Sequence, residues 1–241
     1  MQNFEKSNKE LILLKKRKNL REKINLSKID ELNETLLFNT RISISRILFL
    51  DFLYKKIKKI PGSIVEFGVH FGSTISILQS LRGIYEPYNH SRIIYGFDTF
   101  NGFPKNEKFK KKNNTFKMKK DYYHNLNNFL EIQEQFSPIG HKKKFELIKG
   151  DVRNTLNTFI NKNKFLLFSL VFFDLDLKNS TAYCLRKILG KMAKGGILVF
   201  DQLNCPNFPG ETEAVLKELD FKKYKFLNFH GQTYASYVQI D

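Results

Sequence analysis

The chain has 241 residues and only two cysteines, Cys184 and Cys205, so we expect one sizeable cytoplasmic α/β domain with an appendage rather than a zinc site or a secreted disulfide framework. No apolar run approaches the roughly 20 residues that span a bilayer, and the charged start MQNFEKSNKE does not resemble a signal peptide. The formal charge of +17 would suit a nucleic-acid partner, but the lysines are scattered beside abundant Asn, Phe and Ile, so we attribute the charge to compositional bias and expect no nucleic acid.

The first 60 residues are predicted to be helical. LILLKKRKNLREKINL mixes leucines with basic residues, and ISISRILFLDFLYKKIKKI places apolar side chains at helical spacing before Pro61-Gly62 ends the segment. Such a region usually packs on its own domain or forms a dimer face. We therefore expect residues 1–60 to form an N-terminal helical cap beside the functional site, with its helices as the surface for homo-oligomerisation, and residues 61–241 to form the main domain.

The stretch SIVEFGVHFGS, residues 63–73, predicts a buried strand, a glycine turn and the start of a helix. Gly68 and Gly72 let the backbone turn tightly and approach a ligand, and Ser73 or Thr74 would cap the helix. The unpaired N–H groups at such a helix start suit a nucleotide cofactor. Two glycines alone, however, often mark only a tight turn.

Acidic residues accompany the first three predicted strands. Glu66 lies within the first strand, where an unpaired carboxylate would be costly to bury, so we expect it to face a ligand. RIIYGFD, residues 92–98, predicts a second strand that ends in Asp98, and a carboxylate at this place can accept hydrogen bonds from a ribose diol. FELIKG predicts the third strand, which Asp151 and a short helix follow.

A lysine-rich segment, KNEKFKKKNNTFKMKK at residues 105–120, contains eight lysines and predicts a loop. It is either a solvated insertion or a lid that draws in an anionic acceptor, and the two interpretations are equally supported. The DYYH cluster that follows, Asp121 to His124, could line a pocket or lie on the surface. His124 is a candidate base, although a lone histidine after a loop is more often a surface residue.

The fourth predicted strand, residues 166–173, is a nearly continuous apolar run that is typical of a strand buried on both faces of a parallel sheet. It is followed by Asp174-Leu175-Asp176. Alternation would point both acids to one side, where they repel each other unless a cation, a proton or a donor intervenes. Metal binding or base catalysis is the functional interpretation.

The fifth predicted strand, residues 197–200, stops at Asp201-Gln202. Because neighbouring parallel strands end at the same sheet edge, Asp174, Asp201 and the Gln202 amide oxygen would form a hard-oxygen site for magnesium or calcium.

Helices are predicted over residues 180–192, ended by Gly195-Gly196, and over residues 211–219. The chain closes with KFLNFHG and TYASYVQI around Gly231-Gln232, which predict a strand pair. A terminal antiparallel hairpin on a parallel sheet is unusual for doubly wound domains that bind dinucleotides.

These segments together resemble a class I S-adenosylmethionine-dependent methyltransferase, and more narrowly the macrocin O-methyltransferase family of sugar-modifying enzymes. The matching pieces, over residues 63–215, are VEFGVHFGST, YGFDTFNGFP, GDVRNTL, FFDLDLKNST and GGILVFDQ. The resemblance implies an α/β fold with a Rossmann-like, mostly parallel sheet of seven strands that ends in the antiparallel hairpin.

The resemblance also implies the site residues. Glu66, Gly68 and Gly72 would shape the methionine side of the S-adenosylmethionine pocket, Asp98 would hold the ribose, and Asp151 would lie by the adenine. The full set expected around the cofactor is Glu66, Gly68, Val69, Gly72, Ser73, Asp98, Thr99, Asp151, Val152 and Asp174.

The resemblance further implies that Asp174 and the acids after the fifth strand bind a divalent metal. Gln202 stands where the family commonly has a second aspartate, so one ligand charge is lost, although Gln can still coordinate through oxygen. Asp174 or Asp176 could remove the acceptor proton, and His124 is a weaker candidate.

The predicted function is S-adenosylmethionine-dependent O-methylation of a small hydroxylated acceptor, most suitably a sugar or a nucleotide-linked or phosphorylated sugar in polysaccharide or secondary-metabolite biosynthesis. Alternatives are methylation of a small phosphorylated metabolite, methylation of RNA or DNA, and a non-enzymatic partner protein. DLDLKNS stands where base amino-methylation needs an Asn-Pro-Pro-aromatic type of motif, which argues against nucleic acid. The acids at the expected strand ends argue against a non-enzymatic protein.

Overall fold

The computed structural model describes residues 7–24, 31–104, 116–220, 222–231 and 235–241. Most of the predicted lysine-rich loop, residues 105–115, lies outside the described residues. The chain divides into two compact units, Met1–Ser45 and Arg46–Asp241. No helix of the described segments is long and apolar enough to cross a membrane.

The first unit contains helices α1 (Asn8–Lys23) and α2 (Glu31–Leu37) and the start of α3 (Arg41–Ile57). A capping box begins α1, because the Ser7 side chain accepts from the Glu10 N–H while the Glu10 carboxylate accepts from the Ser7 N–H. An ion pair of 2.7 Å between Arg21 and Glu34 joins α1 to α2. All three helices lie in the segment predicted to be helical.

The second unit is built on a seven-stranded sheet with the order β3-β2-β1-β4-β5-β7-β6. Strands β1 to β5 are parallel, and β7 pairs antiparallel with both β5 and β6. The predicted sheet and its terminal hairpin are therefore confirmed. The strands are β1 (Ser63–Phe67), β2 (Ile94–Asp98), β3 (Phe145–Lys149), β4 (Phe168–Phe173), β5 (Met192–Phe200), β6 (Leu227–Asn228) and β7 (Ser236–Gln239).

Helices cover both faces of this sheet because the side chains of its buried strands alternate between two apolar layers. Ile64, Leu170 and Phe172 pack with α3, α4 (Ser73–Tyr85) and α5 (Tyr122–Gln135). Val65 and Val171 pack on the opposite face with the other three helices, which are α6 (Val152–Lys162), α7 (Lys178–Ile188) and α8 (Gly210–Glu218).

The predicted boundary between α7 and β5 is wrong. The helix ends at Ile188, a short 3-10 helix follows at Leu189–Lys191, and β5 already begins at Met192. Gly195 lies inside the strand with a φ of +81°, and the register with β4 shifts there, so the glycine pair marks a bulge rather than a helix end. Hydrogen bonds with Ile240 still hold this part of β5 to the C-terminal segment.

A buried ion cluster joins α4, α5 and the start of β3. Arg82 donates to Glu134 at 2.6 Å, and Lys144 lies 2.9 Å from the same carboxylate. The side chains of all three residues are at most 3% exposed. Burying ions this completely is favourable only while the charges are paired.

We predict that Glu134→Ala lowers the free energy of unfolding by about 3–5 kcal/mol, because it leaves two cations buried without their carboxylate. Urea denaturation measures this change. Glu131→Ala is the matched control on the same helix, since Glu131 forms an exposed pair with Lys143 at 2.6 Å, and it should cost less than about 1 kcal/mol. Equal losses in the two variants would contradict the prediction.

Candidate active site

A cavity lies at the carboxyl ends of the parallel strands, where the strand order reverses between β1 and β4. Open α/β sheets bind their ligands at such a reversal. Aromatic side chains, including Phe97, Phe103 and Phe116, form part of the wall. Among the predicted cofactor residues, those that line the cavity are Gly68, Asp98, Thr99, Asp151, Val152 and Asp174.

The glycine turn has the close approach that its sequence predicts. Gly68 has a φ of +95°, and a Cβ atom there would lie 1.9 Å from the carbonyl oxygen of Asp174. Only glycine therefore allows the end of β1 to lie against the end of β4.

The cap predicted for α4 is wrong. Gly72, with a φ of +79°, is the N-cap residue, and no side chain makes the capping hydrogen bond. The Thr74 hydroxyl instead accepts from Arg46 at 3.1 Å, and Ser73 is exposed. Val69, Gly72 and Ser73 are not among the residues that line the cavity, and Val69 packs in the core.

Asp98 joins two loops at the edge of the cavity. Its carboxylate accepts from the His70 N–H at 2.8 Å and from the Phe100 N–H at 2.6 Å, one on each oxygen. Each carboxylate oxygen keeps a second lone pair. Asp98 can therefore hold the glycine turn in place and also accept hydrogen bonds from a diol in the cavity.

Asp151 caps helix α6 beside the cavity. Its side chain accepts from the Arg153 N–H at 3.0 Å and pairs with the Arg153 guanidinium at 2.6 Å. Burial acts to raise the pKa of Asp151, but the hydrogen bonds from Arg153 outweigh it and hold the pKa below its ordinary value. Asp151 therefore remains an anion and a hydrogen-bond acceptor near neutral pH.

Three carboxyl groups meet beyond the end of β4. Asp174, Asp176 and Glu211 each offer an oxygen, and these oxygens lie within 4.8 Å of one another. The strand ends at Phe173 and Asp176 has a φ of +60°, so the two aspartates come together through a turn and not through strand alternation. Burial, Asp201 and Asp176 raise the pKa of Asp174 well above its ordinary value. Burial, Asp176 and Asp201 do the same for the pKa of Glu211.

Arg46 lies beside the second group of predicted metal ligands. Its guanidinium forms an ion pair with Asp201, lies 3.9 Å from Asp174 and stacks on Phe172 at 4.7 Å. Burial acts to lower the pKa of Arg46, but Asp201 and Asp174 outweigh it and raise the pKa. Arg46 is therefore a permanent cation against Asp201.

Gln202 follows Asp201 and contacts the carboxyl cluster through its main chain. Its backbone N–H donates to Glu211 at 3.1 Å, and its side-chain Oε1 is buried without a hydrogen-bond partner. A buried acceptor oxygen that accepts no hydrogen bond is costly. The amide oxygen of Gln202 is therefore suited to receive a ligand.

His124 is not brought to the cavity. It is exposed on the first turn of α5, where it hydrogen-bonds with Asn128 at 3.1 Å, and it is not a lining residue. A histidine that lines the cavity is His70, in the glycine turn. Burial lowers the pKa of His70, although Asp98 acts in the opposite direction.

Arg46 and Glu211 were missed as site residues by the sequence analysis. A signal existed for Arg46, because it is a basic residue surrounded by apolar ones in ISISRILFLDF. The signal for Glu211 was weaker, since an acid after Pro209-Gly210 is also what an ordinary helix start would show.

Glu66 is buried in β1 and is only 1% exposed. Its Oε2 atom has no hydrogen-bond partner. Burial raises the pKa of Glu66 to about 8, although Arg46 and a hydrogen bond from Thr74 act to lower it. Glu66 is not a cavity-lining residue, so it adjoins the site through Thr74 and Arg46.

Comparisons with known proteins give a family and two similar structures of one relative. The macrocin O-methyltransferase (TylF) family model matches residues 32–234. The crystal structure of CalS11, a calicheamicin methyltransferase, has 32% sequence identity and a TM-score of 0.90, and the match covers 97% of this chain and 93% of that one. The apo structure of CalS11, described as a TDP-rhamnose 3'-O-methyltransferase of calicheamicin biosynthesis, has 31% identity, a TM-score of 0.85 and coverages of 97% and 95%.

A more distant structure shares the fold alone. The O-methyltransferase NovP has 17% identity and a TM-score of 0.62, over 82% of this chain and 80% of that one. No curated protein sequence gives a significant match.

We predict that Glu66 makes the cofactor-free and metal-free protein less stable as the pH rises from about 5 to 8. The folded pKa of about 8 lies above the ordinary value of 4.5, so the folded protein binds the proton more tightly than the unfolded chain does. Between these two pH values, the free energy of unfolding should fall by about 1.4 kcal/mol per pH unit on account of this group. Glu66→Gln should flatten that fall, measured by urea denaturation at several pH values. Parallel pH profiles for the two proteins would contradict the assignment.

Proposed function

The chain belongs to the macrocin O-methyltransferase family of S-adenosylmethionine-dependent enzymes, and we propose that it methylates a hydroxyl group of a nucleotide-linked sugar. The observation that carries the proposal is the cavity at the sheet reversal, which has Asp98 and Asp151 on one side and the acidic turn of Asp174 and Asp176 on the other. The similar protein CalS11 is described as a TDP-rhamnose 3'-O-methyltransferase, which supports a sugar acceptor joined to a nucleotide.

The cofactor would occupy the side of the cavity formed by β1, β2 and β3. S-adenosylmethionine supplies an electrophilic methyl group on a sulfonium centre. Asp98 would accept the ribose hydroxyls, Val152 and Asp151 would lie by the adenine, and the main chain at Gly68 would approach the methionine end. The methionine end of the cofactor would then lie beside Asp174, since Gly68 and Asp174 are in main-chain contact.

A divalent cation fits the acidic side of the cavity. Three carboxyl oxygens within 4.8 Å repel one another unless a proton or cation neutralises them. Magnesium and calcium prefer oxygen ligands of this kind, and the buried amide oxygen of Gln202 can add a neutral one. We propose that Asp174, Asp176 and Gln202 hold the cation. Glu211, the third acid of the cluster, already accepts hydrogen bonds from three backbone N–H groups, and Asp201, the other predicted ligand, is paired with Arg46. A bound divalent ion would lower the pKa of an acceptor hydroxyl.

Asp174 is the proposed base, and Asp176 is its neighbour in the same cavity. A general base has to lie within reach of the hydroxyl whose proton it accepts, and Asp174 lines the cavity. The protein must also hold the acceptor oxygen in line with the methyl group, which is the larger part of such a catalysis. We propose that the residues around Asp174 perform both tasks, which are removal of the proton and alignment of the acceptor oxygen.

Association of copies of the chain through the N-terminal helices, in a cytoplasmic protein, is part of the proposal. Helix α1 has no buried residue, and Ile12, Leu13 and Leu20 are each more than half exposed. Helices of this length are marginally stable unless an apolar face is packed. A second copy of the chain would supply that packing.

The first prediction for this function concerns the cofactor. Asp98→Ala should weaken binding of S-adenosylhomocysteine by about 30- to 1000-fold, because charge-assisted hydrogen bonds to the ribose are lost, at about 2–4 kcal/mol. Isothermal titration calorimetry measures it, with circular dichroism to show that the variant is folded. Unchanged affinity in a folded variant would remove Asp98 from the ribose site.

The second prediction concerns the acceptor and the cation. Among nucleoside-diphosphate sugars, free sugars and small phosphorylated metabolites, we expect methylation of a nucleoside-diphosphate sugar, detected by mass spectrometry with S-adenosylmethionine and magnesium. Chelation should stop the reaction, and added magnesium should restore it. Asp174→Asn should also abolish methylation, but its affinity for S-adenosylhomocysteine should stay within about threefold of the parent, because β1, β2 and β3 hold the cofactor. Full turnover after exhaustive chelation would falsify the requirement for a divalent cation. Methylation confined to free sugars or phosphorylated metabolites would show that the acceptor is not a nucleoside-diphosphate sugar.

A further inference from the structure

Glu211 connects the two chain segments that carry the acidic side of the site. It is the second residue of α8 and is fully buried. Its Oε1 atom accepts from the N–H groups of Leu175 at 3.1 Å and Asp176 at 3.4 Å. Its Oε2 atom accepts from the N–H of Gln202 at 3.1 Å. One carboxylate therefore bridges the segment after β4 and the segment after β5.

The hydrogen bonds to Glu211 lie just beyond the last pairing between β4 and β5. The last residues paired between β4 and β5 are Phe173 and Phe200, and a final main-chain hydrogen bond runs from the Asp201 N–H to the Phe173 carbonyl at 3.0 Å. Beyond that point, the carboxylate of Glu211 accepts N–H groups from both segments, as a neighbouring strand would in a longer sheet. The sheet geometry is thereby extended to the residues proposed to perform the chemistry.

The segment after β4 needs such support because its conformation is strained. Asp176 has a φ of +60°, a left-handed conformation that costs a non-glycine residue free energy and persists only when its surroundings hold it. The start of α8 presses directly on this turn. A Cβ atom at Gly210 would lie 2.3 Å from the Asp176 carbonyl oxygen, so the helix reaches the turn at main-chain distance.

We propose that Glu211 is a positioning residue for methyl transfer, which fixes the Asp174–Asp176 turn and Gln202 relative to each other through these three hydrogen bonds. This inference rests on the proposed function, since it assigns the chemistry to the same cavity. Glu211 acts through Asp174 and Asp176 and is not itself a lining residue of the cavity. In this proposal, the Glu211 carboxylate holds the site residues in place and does not coordinate the cation.

Hydrogen exchange followed by mass spectrometry tests the bridge without any acceptor. In Glu211→Gln, the side-chain amide keeps one acceptor oxygen and has an NH2 donor in place of the other, so either Leu175 and Asp176 or Gln202 lose their acceptor. Peptides from that side of the bridge should exchange about 10- to 100-fold faster, while the rest of the sheet keeps its protection. Glu213→Gln is the matched control, because Glu213 lies on the same helix and joins α8 to α7 through an exposed pair with Lys178 at 2.9 Å. The control should leave exchange at the site unchanged.

Kinetics of the same variants show whether the bridge matters for the reaction. Glu211→Gln should lower kcat by about 100-fold through misplacement of the reacting groups, with S-adenosylhomocysteine affinity within about fivefold of the parent. Glu211→Asp keeps the charge but is too short to reach both segments, so it should show the same local loss if the glutamine variant does not fold.

Three results would overturn the proposal. The first is unchanged exchange at the site in a folded Glu211 variant. The second is faster exchange throughout the domain together with a normal kcat, which is what a purely stabilising residue would give. The third is a loss of magnesium affinity, measured by calorimetry, without faster exchange, which would make Glu211 a ligand of the cation. Because exchange is measured without substrate, a failure of the proposed acceptor would leave the test of the bridge intact.

Discussion

Five carboxyl groups converge where β1, β4 and β5 end, and the site depends on how their repulsion is managed. Glu66, Asp174, Asp176, Asp201 and Glu211 all interact electrostatically with at least one other member of this group. Water cannot screen most of them, because burial is the largest cause of the raised pKa values of Glu66, Asp174 and Glu211. Arg46 and backbone N–H groups offset part of this negative charge. The remaining negative charge favours the binding of a proton or a cation.

The different roles proposed for these acids follow from the different residues that surround each of them. Arg46 neutralises Asp201 directly, and N–H donors from two segments surround Glu211. Asp174 lines the cavity, which is why we propose it as the base. Five similar side chains thereby acquire different roles, because each has a different set of neighbours.

The sequence predicted the parts of the site that depend on the ends of parallel strands. Parallel strands of such a sheet end at a common edge, so an acid at or just beyond a strand end has to lie at that edge, and this placed Asp98, Asp151 and Asp174 in the cavity. The mostly parallel sheet of seven strands and its terminal antiparallel hairpin followed from the same pattern together with the family resemblance.

The rest depended on contacts between distant parts of the chain. Arg46 and Asp201 are 155 residues apart, and no periodicity connects the first turns of α3 and the end of β5. Glu211 has an ordinary position in sequence, and only the packing of α8 on the turn after β4 shows its role. The boundary of β5 was misjudged because a glycine pair marks a bulge as readily as it ends a helix.

The contact between Gly68 and the Asp174 carbonyl sets a limit on how the enzyme can diversify. Since main-chain atoms meet there, the spacing between the proposed cofactor side and the proposed acceptor side of the cavity does not depend on side-chain rotamers. A substitution of side chains at the rim could therefore change which acceptor fits without changing this spacing. Under the proposed function, the backbone would set the distance between methyl donor and acceptor, and the side chains at the rim would select the acceptor.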